Sequence, residues 1–196
     1  MSIAVFASGS GSNFKNIVLR SRVEAWGRAV RLLICDQPNA KVLQLAQELQ
    51  VTAYLIEPSS YPSKKAYEKA ILEILQEHGI EWVILAGYMR LVGTTLLQAF
   101  PKRIVNIHPS LLPAFPGLNA IEKAFLHPVK VTGVTIHFVD EGMDTGPILA
   151  QVPVSISEID TLETLVDKIH QAEHNLYPTI IKQLIETETK WRRKEH

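Results

Sequence analysis

Asn106 and His108 stand two residues apart near the end of an apolar stretch, Ile104 to His108, which stops at Pro109. Side chains alternate across a strand, so both polar groups project to one face while Val105 and Ile107 take the other. A carboxamide can donate to a developing oxyanion, and a protonated imidazole can do the same or release its proton. A polar pair at a strand end could also be bound up locally with the backbone. Closing an apolar strand beside Pro109-Ser110-Leu111-Leu112-Pro113 makes that reading weaker. Thr135 and His137 repeat the pattern on a second alternating stretch, opposite Val134, Ile136 and Phe138. His137 reads as a structural residue that supports the pair. The segment Asp140-Glu141-Gly142-Met143-Asp144-Thr145-Gly146-Pro147 follows. Its three carboxylates invite a calcium reading, but their spacing departs from the EF-hand loop and no metal is expected. A carboxylate held by a glycine-flanked loop beside a histidine fits better.

A second group of residues lies at the other end of the chain. Ser8-Gly9-Ser10-Gly11-Ser12-Asn13 follows an apolar run and opens a helical one. Glycines let backbone approach a ligand closely, and a helix N-terminus offers free N–H groups and partial positive charge. Ser10, Ser12 and Asn13 add side-chain hydrogen-bonding capacity. A dinucleotide fingerprint would need glycine where Phe14 stands, and no Gly-Lys-Ser/Thr follows. A single phosphomonoester therefore suits the loop better than a pyrophosphate. Gly11→Val is expected to weaken phosphate binding while sparing the fold. No serine or cysteine is recognisably paired with a base, and Cys35 ends an apolar strand as a core residue, so no covalent nucleophile is expected.

The elements that must position these groups alternate. Apolar strands are read at Ile3–Ala7, Arg28–Cys35, Ala53–Ile56, Trp82–Ala86 and Ile104–His108. Helices are read at Asn13–Arg22, Ala40–Leu49, Lys64–His78 (capped by Ser63) and Thr94–Phe100. That rhythm builds βαβ units and a parallel sheet. Val131–Val139 and Ile148–Val154 have no helix between them and read as an antiparallel pair. Thr161 then caps a long helix to about Ile185, bent at Pro178. The expected fold is α/β: a single-domain three-layer sandwich with a mixed, mostly parallel sheet. Its N-terminal half is nucleotide-binding-like and its C-terminal part antiparallel. Residues 1–185 form the domain, and 186–196 a charged tail.

The chain has 196 residues, with 20 Lys+Arg balancing 20 Asp+Glu and a single cysteine. Zero net charge argues against nucleic acid as a partner, and one cysteine excludes an internal disulfide framework. No apolar run approaches the roughly 18 residues of a membrane span, and the N-terminus reads as a strand in place of a secretory signal. A cytoplasmic protein acting on small molecules is expected, either monomer or homodimer, with no membrane or nucleic-acid partner.

Several segments together carry a resemblance that runs to about Lys182. They are the Gly-Ser-Asn loop, Leu85-Ala86-Gly87-Tyr88-Met89-Arg90, Asn106-Ile107-His108-Pro109-Ser110-Leu111-Leu112-Pro113, Gly133 to Asp140, and Asp144-Thr145-Gly146-Pro147. The chain resembles the phosphoribosylglycinamide formyltransferase family, folate-dependent enzymes of purine synthesis. The resemblance implies transfer of the formyl group of 10-formyltetrahydrofolate, as co-substrate, to the amine of phosphoribosylglycinamide. It implies catalytic roles for Asn106, His108 and Asp144, and phosphate binding by Gly11, Ser12 and Asn13. His170, Gln171, Ala172 and Glu173 would meet the ribose. The folate site would comprise Lys64, Met89, Arg90, Leu91, Val92, Asn106, Asp140, Glu141, Gly142, Met143 and Asp144. Lys64 stands where the family usually has arginine, keeping the charge without the bidentate fork. Asn119 stands where the family carries histidine, and suits an N-cap. Formyltetrahydrofolate deformylases share the catalytic segment but carry an N-terminal regulatory domain. A nucleotide-binding oxidoreductase would use Asp36 for a ribose, and would leave Asn106, His108 and Asp144 without a task.

Overall fold

A computed structural model describes residues 2–24, 30–127 and 129–192. Seven strands form one sheet: β1 (Ile3–Ala7), β2 (Val30–Cys35), β3 (Thr52–Leu55), β4 (Trp82–Leu85), β5 (Ile104–His108), β6 (Val131–Phe138) and β7 (Ile148–Ser155). Their order is β3-β2-β1-β4-β5-β6-β7. The first five run parallel, and β6 and β7 join antiparallel. The helices are α1 (Ser12–Val23), α2 (Lys41–Glu48), α3 (Lys64–Glu77), α4 (Thr94–Ala99), α5 (Ala120–Leu126) and α6 (Leu162–Arg192).

The sheet is covered on both faces, as apolar runs without alternation require. On one face, Phe14 and Ile17 of α1, Val42 of α2 and Leu165, Ile169 and Ile181 of α6 pack against Val5, Leu33, Ile84, Val105, Val134 and Ile136. On the other, Tyr67, Ile71 and Leu75 of α3 and Leu96 of α4 pack against Phe6, Ile34, Val83 and Ile104. This is the three-layer arrangement read from the alternation of elements. The strand order reverses between β1 and β4, and a crevice opens beyond the carboxyl ends of strands at such a reversal. The loops after β1 and β4 flank it.

Local chemistry fixes the helix starts. Ser63 Oγ accepts the Ala66 N–H at 3.1 Å and caps α3. Thr161 and Thr164 exchange side-chain-to-backbone bonds at the start of α6. Buried Tyr177 of α6 reaches the carbonyls of Leu85 and Val105, at 2.8 and 3.0 Å, tying that helix to β4 and β5.

Several expectations shift. Positions 28 and 29 lie outside the described residues, so the second strand is seen only from Val30. The long helix continues past Ile185 to Arg192 and passes through Pro178; residues 193–196 of the expected tail are not described. Asn119 does precede α5, but it adopts a left-handed backbone (φ 57°) and its side chain makes no cap bond. Cys35 is fully buried, and burial pushes its thiol up, as a core residue requires. Among the described residues no helix is long and apolar enough to cross a membrane.

Candidate active site

The antiparallel register of β5 and β6 builds the centre of the site. Asn106 lies opposite His137, and His108 opposite Thr135, so all four side chains share one face of the sheet. His137 donates Nδ1–H to the Phe138 carbonyl at 2.8 Å, which leaves Nε2 facing the Asn106 amide at 3.2 Å. His108 donates Nε2–H to the Phe115 carbonyl at 2.8 Å. Its Nδ1 lies 3.3 Å from Oδ2 of Asp144. Both ring nitrogens of His108 thus face oxygen acceptors, a pattern that only a doubly protonated ring satisfies at both ends.

Asp144 arrives from the β6–β7 loop. Its backbone is left-handed (φ 56°), a conformation aspartate tolerates better than most residues. The carboxylate lies between the two imidazoles, with Oδ1 3.7 Å from Nε2 of His137, and it accepts the Gly117 N–H at 2.8 Å. His137 is the main cause that holds this carboxyl below the usual range; burial opposes it, and the Gly117 N–H and the charge of His108 add to it.

The loop after β5 holds His108 from the far side. Thr135 Oγ1 donates to the Ser110 carbonyl at 2.6 Å and accepts the Leu112 N–H at 3.0 Å. Gln151 donates to both Thr135 Oγ1 and the Leu112 carbonyl at 2.9 Å. Ser110 Oγ donates to the Ala114 carbonyl at 2.5 Å. Residues 110–115 are thereby braced against β6 and β7, and the carbonyl that anchors His108 belongs to that braced loop.

The other end of the site is the glycine loop. Gly11 precedes α1 with φ 79°, and a Cβ there would approach Val42 Cγ2 to 2.6 Å. Gly11→Val would therefore strain the backbone and collide with α2, which overturns the expectation that the fold is spared. Asn13 donates its side-chain amide to Glu173 at 2.9 Å, and its buried Oδ1 has no partner. One of its two side-chain N–H donors is thus committed to Glu173, and its backbone N–H stands at the start of α1. Burial pushes the Glu173 carboxyl up, while Asn13 and the charge of His170 pull it down.

One cavity of about 510 Å³ joins both ends. Gly9–Asn13, Leu85–Val92, Asn106–Pro109, Gly117–Ile121, His137, Val139, Asp140, Gly142–Asp144, His170 and Glu173 line it. Met89, Leu91, Leu118 and Met143 give it exposed apolar surface. Four candidates lie outside that lining. Lys64 sits exposed at the start of α3, 3.9 Å from Glu68. Glu141 is exposed on its loop. Gln171 and Ala172 fall between His170 and Glu173 on the helix, so their directions differ by about 100° per residue; they line a shallower depression with Val152 and Asn175. Leu118, Asn119 and Ile121 are lining residues that the sequence did not single out; only the unusual Asn119 hinted at them. Asp36, the acid a dinucleotide reading would give to a ribose, has its oxygens occupied by Ser8, Gln37 and Arg90.

A crevice at the strand reversal with a glycine loop at one end and Asn, His and Asp at the other defines a small-molecule group-transfer enzyme. The chain belongs to the formyl transferase family, whose profile matches residues 1–181. It is 56% identical over 182 residues to a phosphoribosylglycinamide formyltransferase of Bacillus subtilis (strain 168), covering 93% of each chain. The phosphoribosylglycinamide formyltransferase structure from Bacillus halodurans superposes with a TM-score of 0.91 at 55% identity, covering 94% of this chain and 95% of that one. A glycinamide ribonucleotide transformylase structure from Geobacillus kaustophilus gives 0.91 at 52% identity, over 94% and 98%.

Proposed function

We propose that this chain transfers the formyl group of 10-formyltetrahydrofolate to the amine of phosphoribosylglycinamide, a step of purine synthesis, in the cytoplasm and as a monomer or homodimer. Residues 1–185 carry the activity. Backbone N–H groups of Gly11, Ser12 and Asn13 hold the phosphate dianion at the start of α1. Glu173 and His170 meet the ribose. The apolar surface of Met89–Val92 and Gly142–Met143, with the backbone around Asp140, holds the folate.

The formyl oxygen would lie beside Asn106 and His108. The amine nitrogen bonds to the formyl carbon, and the carbonyl electrons shift onto oxygen. Asn106 donates to that oxyanion, and His108 in its protonated form, its two N–H groups held by the Phe115 carbonyl and Asp144, places positive charge beside it. The electrons return as the bond to the folate nitrogen breaks. One proton leaves the amine and one reaches the folate nitrogen. Asp144 holds both imidazoles in place and balances the charge of His108, and neutral His137 orients the Asn106 amide. No formyl–enzyme bond is required.

The observation that carries this reading is the β5–β6 register, which sets Asn106 and His108 beside His137 in the same cavity as the glycine loop and the Asp144 carboxylate. Absorbance after mixing with a 10-formyl folate, with and without phosphoribosylglycinamide, tests it. Deformylated folate is expected only with the amine present. Release without the amine would indicate a hydrolase, and no reaction in either mixture would overturn the proposal.

A further inference from the structure

The segment between β4 and α4, residues 86–93, has no regular structure, yet it supplies one wall of the cavity. Among the described residues, Arg90, Leu91 and Val92 make no backbone hydrogen bond. Something else must hold this wall in shape. Two buried carboxylates grip its two ends, and the reaction has no use for either.

At the first end, the Met89 N–H donates to Ser8 Oγ at 3.0 Å. The Ser8 hydroxyl passes on to Asp36 Oδ1 at 2.6 Å. The other Asp36 oxygen accepts the Gln37 amide at 3.1 Å and lies 3.9 Å from the Arg90 guanidinium. Arg90 in turn lies over the Tyr67 ring, 5.7 Å from its centre, and the Tyr67 and Tyr88 hydroxyls are 2.7 Å apart. At the second end, the Gly93 N–H donates to Glu68 Oε1 at 2.6 Å. Glu68 follows Tyr67 on α3, so one helix serves both ends. Asp36 is 2% exposed and Glu68 3%. Burying a carboxylate is unfavourable unless donors and cations compensate it, and here those donors and cations belong largely to the segment and its neighbours.

Gly93 supports this assignment independently. Its φ of −101° is open to any residue. A Cβ there would nevertheless stand 2.7 Å from both carboxylate oxygens of Glu68. The glycine is needed by the carboxylate and not by the backbone.

We propose that Asp36 and Glu68 are positioning residues that pin the two ends of segment 88–93 and thereby set affinity for the folate. The proposal rests on the folate reading above. A charge-assisted hydrogen bond is worth more than tenfold in an equilibrium constant. Asp36→Ala and Glu68→Ala should each raise KM for the formyl folate by about tenfold. They should leave kcat and KM for phosphoribosylglycinamide within about twofold, because neither carboxylate touches the reacting atoms. Asp36→Asn and Glu68→Gln keep an acceptor and should recover most of the loss, to about threefold. Gly93→Ala should resemble Glu68→Ala, and the double variant should be no worse than either, since removing the carboxylate leaves only a 2.9 Å approach to Cε of the exposed Lys64, which can swing away.

The test is steady-state kinetics with each substrate varied, beside equilibrium binding of a stable 10-formyl folate analogue and thermal melting of each variant. An unmodified chain that transfers no formyl group overturns the folate reading and this proposal with it. An active unmodified chain whose folded alanine variants keep their folate KM overturns this proposal alone. So does an equal loss in kcat and both KM values, or additive effects of Gly93→Ala and Glu68→Ala. If the alanine variants at 36 and 68 do not fold, Asp36→Asn, Glu68→Gln and Gly93→Ala carry the test, and unchanged analogue binding in all three overturns it.

Discussion

The two ends of the cavity are built on different principles. At the glycine loop the proposed anion donors are backbone, and the one side-chain amide there, of Asn13, bonds to Glu173. At the β5–β6 end the groups are side chains, and every one has a second partner that orients it: Phe138 for His137, Phe115 for His108, Gly117 for Asp144. An anion of fixed charge needs only aligned N–H dipoles. A charge that appears during reaction needs donors already aimed at its future position. On the proposed function, the cavity holds a static recognition device after β1 and a reactive one at the end of β5, with β4 between them.

That contrast can be broken at either end. The largest effect is expected from Asn106→Ala, which should lower kcat by about 10²- to 10³-fold with little change in either KM, measured by steady-state absorbance. Gly9→Val comes next. A Cβ at Gly9 meets nothing within 4 Å, so the fold should tolerate valine while the side chain fills the anion cradle. KM for phosphoribosylglycinamide should rise about 10- to 100-fold at an unchanged melting temperature, whereas Gly11→Val should lower that temperature as well. Asp144→Asn should reveal itself in stability against pH. The folded carboxyl titrates below its unfolded value of about 3.9. Its contribution is therefore fully present above that value and is lost as pH falls through the folded pKa. Urea midpoints of parent and variant should differ most near pH 7 and converge below about pH 4. Tyr177→Phe removes bonds to the Leu85 and Val105 carbonyls alone; it should lose about 1 kcal/mol of stability and leave kcat unchanged.

The strands and most helices were legible because their apolar periods are clean: the expected bounds of Ile3–Ala7 and Ile104–His108 coincide with those observed. Alternation alone placed Asn106 with His108 and Thr135 with His137. It could not bring the two pairs together, because register between strands separated by 22 residues depends on the loop that joins them. The braced loop at 110–115 was visible only as a motif; its service to His108 runs through a backbone carbonyl, which no side-chain pattern reveals. Gln171 and Ala172 entered with His170 and Glu173 through the resemblance, and the helical period directs them to a different depression. Asp36 looked like a ligand acid from its place after β2, and only its partners show it to be occupied.

The bond between Asn13 and Glu173 spans 160 positions. The glycine loop is made before the other six strands, yet the residue that holds its Asn13 side chain emerges after the seventh strand. Until α6 is made, Val105, Ile107, Val134 and Ile136 have no cover from Leu165, Ile169 and Ile181. A nascent chain halted before that helix carries an incomplete site and an open apolar sheet face, the kind of surface that aggregates or calls on chaperones. Completion of the proposed site and cover for the apolar sheet face thus arrive in the same step, when α6 emerges.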